Sequence, residues 1–327
     1  MGLFRAKAGG GGDSDVKLFF ATDIHGSDRC LRKFINAGAF YGVDHLIMGG
    51  DITGKSIVPI WRNGTGWTAD YNDRRYERMT ARELADLEQL IRDNGQYPVT
   101  GEVDELRALE DEERRDAAFL KAITGSIERW VAFAEERLRG TGIRCFITPG
   151  NDDFWEIDDV LRGSDVVEFV EGRCVRISDD HEMITTGYSN ITPWESPREL
   201  PEDQLRERLE TMFAQVERPE GLVCVLHPPP RGTLLDQAPE IDEHFVVQLE
   251  GGEPRMVPVG SQAVREFIEE HQPLLGLHGH VHESKGTQTI GRTVVVNPGS
   301  EYREGTLMGA LVTIDRDRVV RKQLVAG

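Results

Sequence analysis

Five short apolar runs, each stopping at glycine or proline beside a residue able to hold a metal, constrain this chain more than any other feature of its sequence. Residues 16–22 run into Asp-Ile-His-Gly, 45–48 into Gly-Gly-Asp, 144–148 into Pro-Gly-Asn, 222–226 into His-Pro-Pro-Pro and 274–277 into His-Gly-His-Val-His. Apolar runs of this length read as buried strands, and residues 28–40 after the first carry the 3.6-residue period of a helix. In open α/β sheets the loops at the carboxyl ends of the strands are where ligands bind. Those loops supply Asp23, His25, Asp51, Asn151, His227, His280 and His282. Along an extended segment side chains alternate, so Asp23-x-His25 and His280-x-His282 are each expected to turn both donors to one side. Taken singly, every motif has an ordinary explanation. Asp23 and Asp51 suit helix caps or turns, Asn151 suits a Pro-Gly turn, His227 suits a strand end, and His-x-His suits an exposed loop. Their joint occurrence after five apolar runs singles out a metal centre.

The rest of the chain bounds what can surround such a centre. Its 57 acidic against 38 basic residues leave a net charge of −19, a field that repels long polyanions, so no long nucleic acid is expected as a partner. No run approaches the roughly 18 apolar residues of a membrane helix, so no membrane partner is expected. Cys30, Cys145, Cys174 and Cys224 form no C-x-x-C pair and read as reduced thiols of a cytoplasmic protein. Residues 1–14, glycine-rich and without a signal-peptide or myristoylation pattern, read as a flexible tail. Residues 15–327 read as one domain interrupted at about 55–142 by a helical insertion, with a polar loop at 61–72. Between Ala81 and Arg139 the insertion carries 15 acidic and 9 basic residues. Trp61, Trp67 and Trp130 are read as packing residues, and any exposed apolar surface on the insertion is a candidate homo-oligomer interface. Segments 293–296, 307–314 and 319–324 suggest a closing run of antiparallel strands.

The ordered set of D-x-H, G-D, G-N, a lone His and G-H-x-H resembles the calcineurin-like metallophosphoesterase family. It is matched by Asp23-Ile24-His25, Gly50-Asp51, Gly150-Asn151, His227 and Gly279-His280-Val281-His282. Residues 227–236, 260–283 and Asn297-Pro298-Gly299-Ser300 look most like the family's Icc-related branch of bacterial and archaeal phosphoesterases. The resemblance implies a four-layer α/β/β/α sandwich with two mixed sheets and two divalent metal ions. By motif, Asp23, His25 and His282 would hold one ion, Asn151, His227 and His280 the other, and Asp51 would bridge them. Nitrogen and oxygen donors without thiolate suit Mn, Fe or Zn, with Mn favoured. The implied activity is hydrolysis of a small phosphorylated substrate by a metal-bridging hydroxide, with Asp51, Asn151, Asp152 and His227 as the catalytic set.

The sequence departs from the family pattern at Asp152, where many members carry histidine next to the metal-binding Asn. A carboxylate there repels a phosphoryl group unless it is protonated or faces water. This tilts the reading to a small phosphodiester, a cyclic or linear nucleotide, over a phosphomonoester or nucleotide pyrophosphate. A nuclease and a non-catalytic metal-binding scaffold are the remaining alternatives. Asp153 is expected either to cap a helix near Trp155 or to share the site. Arg231 and Asn190 are candidate substrate contacts, with Trp194 beside them, and His278 is expected to be a buried support.

Overall fold

The computed structural model describes residues 15–327; the flexible tail expected over residues 1–14 lies outside them. The strand Val16–Ala21 shows why the chain layers as it does. Leu18 and Phe20 point to one side and Phe19 and Ala21 to the other, and both sides are buried. A strand apolar on both faces needs cover on both, which is why it reads as an unbroken apolar run. Two six-stranded mixed sheets result. The first is ordered Val319–Ala326, Met308–Ile314, Val16–Ala21, His45–Gly49, Arg144–Thr148, Val167–Phe169. The second is ordered Gly286–Ile290, Thr293–Asn297, Leu275–Leu277, Val223–Leu226, Glu182–Thr186, Cys174–Arg176.

Leu18, Phe20, Ile47 and Phe146 of the first sheet meet Met183, Val223, Val225, Leu275 and Leu277 of the second in one apolar layer. On the outer faces, Phe19, Leu46, Met48 and Cys145 pack under the helices Asp28–Tyr41 and Glu112–Leu138. Ile184, Cys224 and Leu226 pack under Glu202–Phe213 and Gln262–His271. This is the expected α/β/β/α sandwich. Parallel pairing of Val16–Ala21 with His45–Gly49, and of His45–Gly49 with Arg144–Thr148, sends their carboxyl ends the same way. Glu182–Thr186, Val223–Leu226 and Leu275–Leu277 are likewise parallel.

The segment read as helical begins differently. Ile57–Asn63, Gly66–Tyr71, Arg74–Met79 and Tyr97–Gly101 form a four-stranded sheet, and the polar loop expected at 61–72 is a β-hairpin within it. Inward residues Val58, Ile60, Ala69 and Tyr71 alternate with exposed ones and gather with Leu87 and Ile91 in a small core of their own. Two-residue turns make the sheet possible, since Asn72 and Asp73 both adopt positive φ, 50° and 58°, and Gly64 adopts 62°. Helices follow at Ala81–Asp93, opened by a Thr80/Glu83 capping box, and at Glu112–Leu138. Trp130 is buried and donates Nε1–H to Asp28 Oδ1 at 2.6 Å, while Trp61 and Trp67 lie half-buried on the sheet.

The closing strands are shared between the sheets, not consecutive in one. Thr293–Asn297 pairs with Gly286–Ile290 and Leu275–Leu277, whereas Met308–Ile314 and Val319–Ala326 form a hairpin on the first sheet. All four cysteines are free, with Cys174 half-buried and the others buried. No helix among the described residues is long and apolar enough to cross a membrane.

Arg198 closes the fold beneath the loop that follows Arg144–Thr148. Its side chain is 1% exposed, donates to Asp153 O and Phe154 O, pairs with Asp158 Oδ1 at 2.7 Å and lies over the Trp155 ring. Removing one partner of a buried pair strands the other charge. Arg198→Met should therefore lower the unfolding free energy by about 3–5 kcal/mol, measured by urea denaturation. A loss below about 1 kcal/mol would mean that the guanidinium does not neutralise Asp158.

Candidate metal centre

The loops after the five apolar strands meet at the sheet ends because their backbones bond to one another. Asp23 N–H donates to Gly50 O, His25 N–H to Asp51 O and Gly26 N–H to Ile52 O. Asp153, fully buried, accepts from Ile52 N, Thr53 N, Thr53 Oγ1 and Gly150 N at 2.6–3.0 Å, tying the Asp51 loop to the Asn151 loop. Asp153 therefore does not cap a helix; the next helix, Ile157–Arg162, has Glu156 at its start with no side-chain cap. Asn297 donates Nδ2–H to Val281 O and Gly279 O, holding the loop that carries His280 and His282.

Six of the seven donors named from the sequence fall in two triads, and the seventh, Asn151, stands beside His280. One ligand atom from each of Asp23, His25 and His282 lies within 4.8 Å of the other two, and the same holds for Asp51, His227 and His280. His25 Nε2 and His282 Nε2 are 3.0 Å apart. Asp51 reaches both groups, with Oδ2 3.8 Å from His25 Nε2 and Oδ1 3.4 Å from His227 Nε2. Asn151 Oδ1 lies 2.8 Å from His280 Nδ1. The extended geometry expected of the two x-separated pairs is not what brings them in. Asp23, His25, Asp51 and His280 all have positive φ, 53°, 39°, 48° and 66°. The chain turns over immediately after each strand, and the donors converge by that turn. The glycines of the G-N and G-H motifs have a packing reason, because a Cβ at Gly150 would collide with the Asp51 carboxylate and one at Gly279 with that of Asp23.

The donor set fits divalent metal. His227 Nε2 is buried, has no hydrogen-bond partner and faces Asp51 Oδ1 at 3.4 Å and Asp23 Oδ1 at 3.9 Å. Its other nitrogen, Nδ1, is held by Gly49 O at 2.9 Å, which orients the ring as ligating histidines usually are. Without metal, the His227 proton is the cation between the two carboxylates. Burial alone would expel that proton, but the charge of the nearby Asp51 carboxylate, then that of Asp23, raise its pKa to about 10. Burial pushes His25 down to about 4, against the pull of Asp51, and burial with the charge of His227 pushes His280 down to about 3. Burial would raise the Asp23 carboxyl, yet the hydrogen bond to His282 and the surrounding histidine charges hold it well below the usual range.

Of the other residues singled out, Asp152 sits at the edge of the cluster, with one carboxylate oxygen in a third triad with His25 and Asp51. Its backbone N–H donates to Asp51 Oδ1 at 3.0 Å. Arg231 is exposed, with Nη1 3.5 Å from Gly260 O, and is brought into none of these groups. Asn190 donates Nδ2–H to Val259 O at 3.3 Å, leaving Oδ1 unpartnered. His278 is fully buried with Nδ1 between Leu226 O and Pro228 O, a support beneath the two strands. Three neighbours were missed from the sequence. Lys55 pairs with Asp152, Ser196 Oγ–H donates to Asp152 Oδ1 at 2.6 Å, and the Tyr302 ring packs against His25 with centroids 4.9 Å apart. Only Tyr302 had a local signal, two residues after the Asn-Pro-Gly-Ser turn.

The chain belongs to the calcineurin-like phosphoesterase family, whose sequence profile matches residues 16–284. An uncharacterized protein of Methanocaldococcus jannaschii is 30% identical over 152 residues, 46% of this chain and 61% of that protein. This chain therefore spans less than two thirds of that relative's length. TT1561 of Thermus thermophilus has a similar fold, with TM-score 0.51 at 16% identity over 96% of this chain and 99% of that one. Another solved chain gives TM-score 0.55 at 17% identity, covering 95% and 99%. Family membership and geometry together give a calcineurin-like phosphoesterase fold that carries two candidate metal-binding clusters.

Two outcomes follow from the donor set. Divalent ions binding at neutral pH should displace the His227 proton, releasing roughly one proton per chain, readable by calorimetry in buffers of different ionisation enthalpy. Because the folded pKa of His227 lies above its ordinary 6.5, its stabilisation of the metal-free protein is complete below pH 6.5 and is lost as pH rises toward about 10. The melting temperature of chelated protein should fall across that window, and His227→Gln should flatten the fall; an unchanged slope in the variant would refute the assignment. Asp51→Asn removes the charge shared by both groups and should weaken metal binding by at least about 100-fold, measured by metal content after dialysis.

Proposed function

We propose that this protein hydrolyses small phosphodiesters using two divalent ions, one held by Asp23, His25 and His282, the other by Asn151, His227 and His280, with Asp51 between them. The observation that carries this reading is the convergence of seven imidazole, carboxylate and amide donors, among them a buried His227 Nε2 with no hydrogen-bond partner. Divalent ions in such a site supply Lewis acidity that activates a water and neutralises phosphoryl oxygens. The protein's own contribution is to fix the donors on loops locked by Asp153 and Asn297, so that little reorganises during reaction. Imidazole, carboxylate and amide donors without thiolate suit Mn, Fe or Zn, with Mn the ion of our reading. Four unpaired cysteines, three of them buried, favour a reducing compartment such as the cytoplasm. The stretches at 227–236, 260–283 and 297–300 support a place in the Icc-related branch.

The diester preference rests on charge. Asp152 stands beside Asp51 and His25, and its partner Lys55 only neutralises it, so the rim offers no surplus cation for the second charge of a monoester. A nucleotide diester suits the surroundings better than an aliphatic one. Trp194, two residues from the Asp152 ligand Ser196, stacks on Phe245 at 4.7 Å, and both rings are half exposed or more. Their open faces suit a base.

The test is hydrolysis of bis-(p-nitrophenyl) phosphate beside p-nitrophenyl phosphate by chelated protein reloaded with Mn, Fe(II), Zn or Mg. Metal-dependent turnover favouring the diester is the expected result, with cyclic nucleotides the next substrates to screen. No turnover despite two ions bound per chain would overturn the enzymatic reading, and preference for the monoester would overturn the diester assignment.

A further inference from the structure

Lys55 begins the inserted segment, yet its charged end lies at the metal cluster. Its ammonium pairs with Asp152 Oδ2, and Asp152 belongs to the triad with His25 and Asp51. The Asp152 side chain is held from two other directions, by Ser196 Oγ–H at 2.6 Å and Asn151 Nδ2–H at 3.1 Å, both on Oδ1. Oδ2 is left to the lysine. The backbone on either side of Lys55 is also fixed. Gly54 N–H donates to the Tyr97 hydroxyl at 2.7 Å, and Ser56 O accepts from Tyr97 N–H at 3.0 Å. The four-stranded sheet of the insertion thus anchors the residue, while 57% of its side chain stays open to solvent.

We propose that Lys55 contacts the leaving-group oxygen of the phosphodiester, with Asp152 and Ser196 as positioning residues. This rests on the phosphodiesterase reading above. An ammonium has three N–H donors and Asp152 occupies only part of them, so the others are free for a substrate oxygen at the rim. In the hydrolysis, water forms the new P–O bond and the bond from phosphorus to the leaving oxygen breaks, its electron pair going to that oxygen. The leaving oxygen ends with a proton shed by water. Lys55 keeps its own protons and stabilises the charge that builds on the oxygen in the transition state, the role that an oriented donor fills best in a partly desolvated site. Histidine is missing at position 152 because the carboxylate there has a different task, holding a cation contributed by another loop.

The test compares Lys55→Gln, Lys55→Arg and Asp152→Asn with the unaltered protein, each with two metal ions confirmed per chain. Substrates are two methyl aryl phosphodiesters that differ only in the leaving group, p-nitrophenol or phenol. If Lys55 stabilises the leaving oxygen, Lys55→Gln loses about 100-fold in kcat on the phenyl ester but less than about 10-fold on the nitrophenyl ester. Lys55→Arg recovers most of the loss, and Asp152→Asn shows the same leaving-group bias with a smaller amplitude. Binding of inorganic phosphate, titrated calorimetrically at fixed ionic strength, should weaken in Lys55→Gln, since one phosphate oxygen can take the place at the rim that the leaving oxygen occupies in the diester. Equal losses on both esters with unchanged phosphate affinity, or no loss at all, would overturn the proposal. Failure of the unaltered protein to hydrolyse either ester with any metal would instead overturn the phosphodiesterase reading itself.

Discussion

The Asp153 carboxylate is the interaction on which the centre depends. Its two oxygens accept from three backbone N–H groups and one hydroxyl, spread over residues 52, 53 and 150, in a position closed to solvent. Hydrogen bonds to a buried ionised acceptor are among the strongest a protein makes, and leaving any of those donors unmet is costly. The consequence reaches beyond the loop itself. Asp51 lies one residue before Ile52 and Asn151 one residue after Gly150, so a single side chain sets the spacing between Asp51, which reaches both candidate clusters, and Asn151 beside His280. Arg198 completes the arrangement from behind, by holding the carbonyls of Asp153 and Phe154.

Much of this was legible in the sequence because the chemistry and the packing use the same residues. Phe20, Ile47 and Phe146 had to be apolar to fill the layer between the sheets, and the polar residue that followed each run had to sit at a strand end. Strand, terminus and donor could then be read in one stroke. The insertion was misread for a physical reason as well. Its charged composition comes from Ala81 onward, where the helices are, and that signal was extended backward over a sheet whose core is only seven buried residues. The hairpin signals were present, Asn63-Gly64 at one turn and Asn72-Asp73 at the next, and they outweigh composition when strands are this short.

What the sequence could not disclose is contact between distant segments. Lys55 is 97 positions from Asp152 and stands in no motif, so only the fold brings the two together. The same contact alters the meaning of Asp152. Read alone, it is a carboxylate that repels phosphate; read with Lys55, burial that would raise its pKa is outweighed by the lysine's charge and hydrogen bond, which hold it down to about 2. An acidic protein of net charge −19 can thus present a neutralised carboxylate at the rim of its candidate metal clusters.

The backbone at the ligands shows what such placement costs. Left-handed conformations are cheap for glycine and cost other residues of order 1–3 kcal/mol each, yet Asp23, His25, Asp51 and His280 all adopt them. Glycine cannot substitute there, because the side chain is the point of the residue. The strain follows from how soon the donor must appear. A donor two residues beyond the strand Val16–Ala21 can face inward only if the chain reverses at once, and a longer, relaxed loop would carry it out to solvent. The loop-to-loop bonds at residues 23, 25 and 26 to the carbonyls of 50, 51 and 52 hold that reversal in place. Strain at four donors, glycine at the adjacent positions and a buried carboxylate joining two loops are therefore one solution to one problem, the placement of several like donors closer together than they would settle unaided.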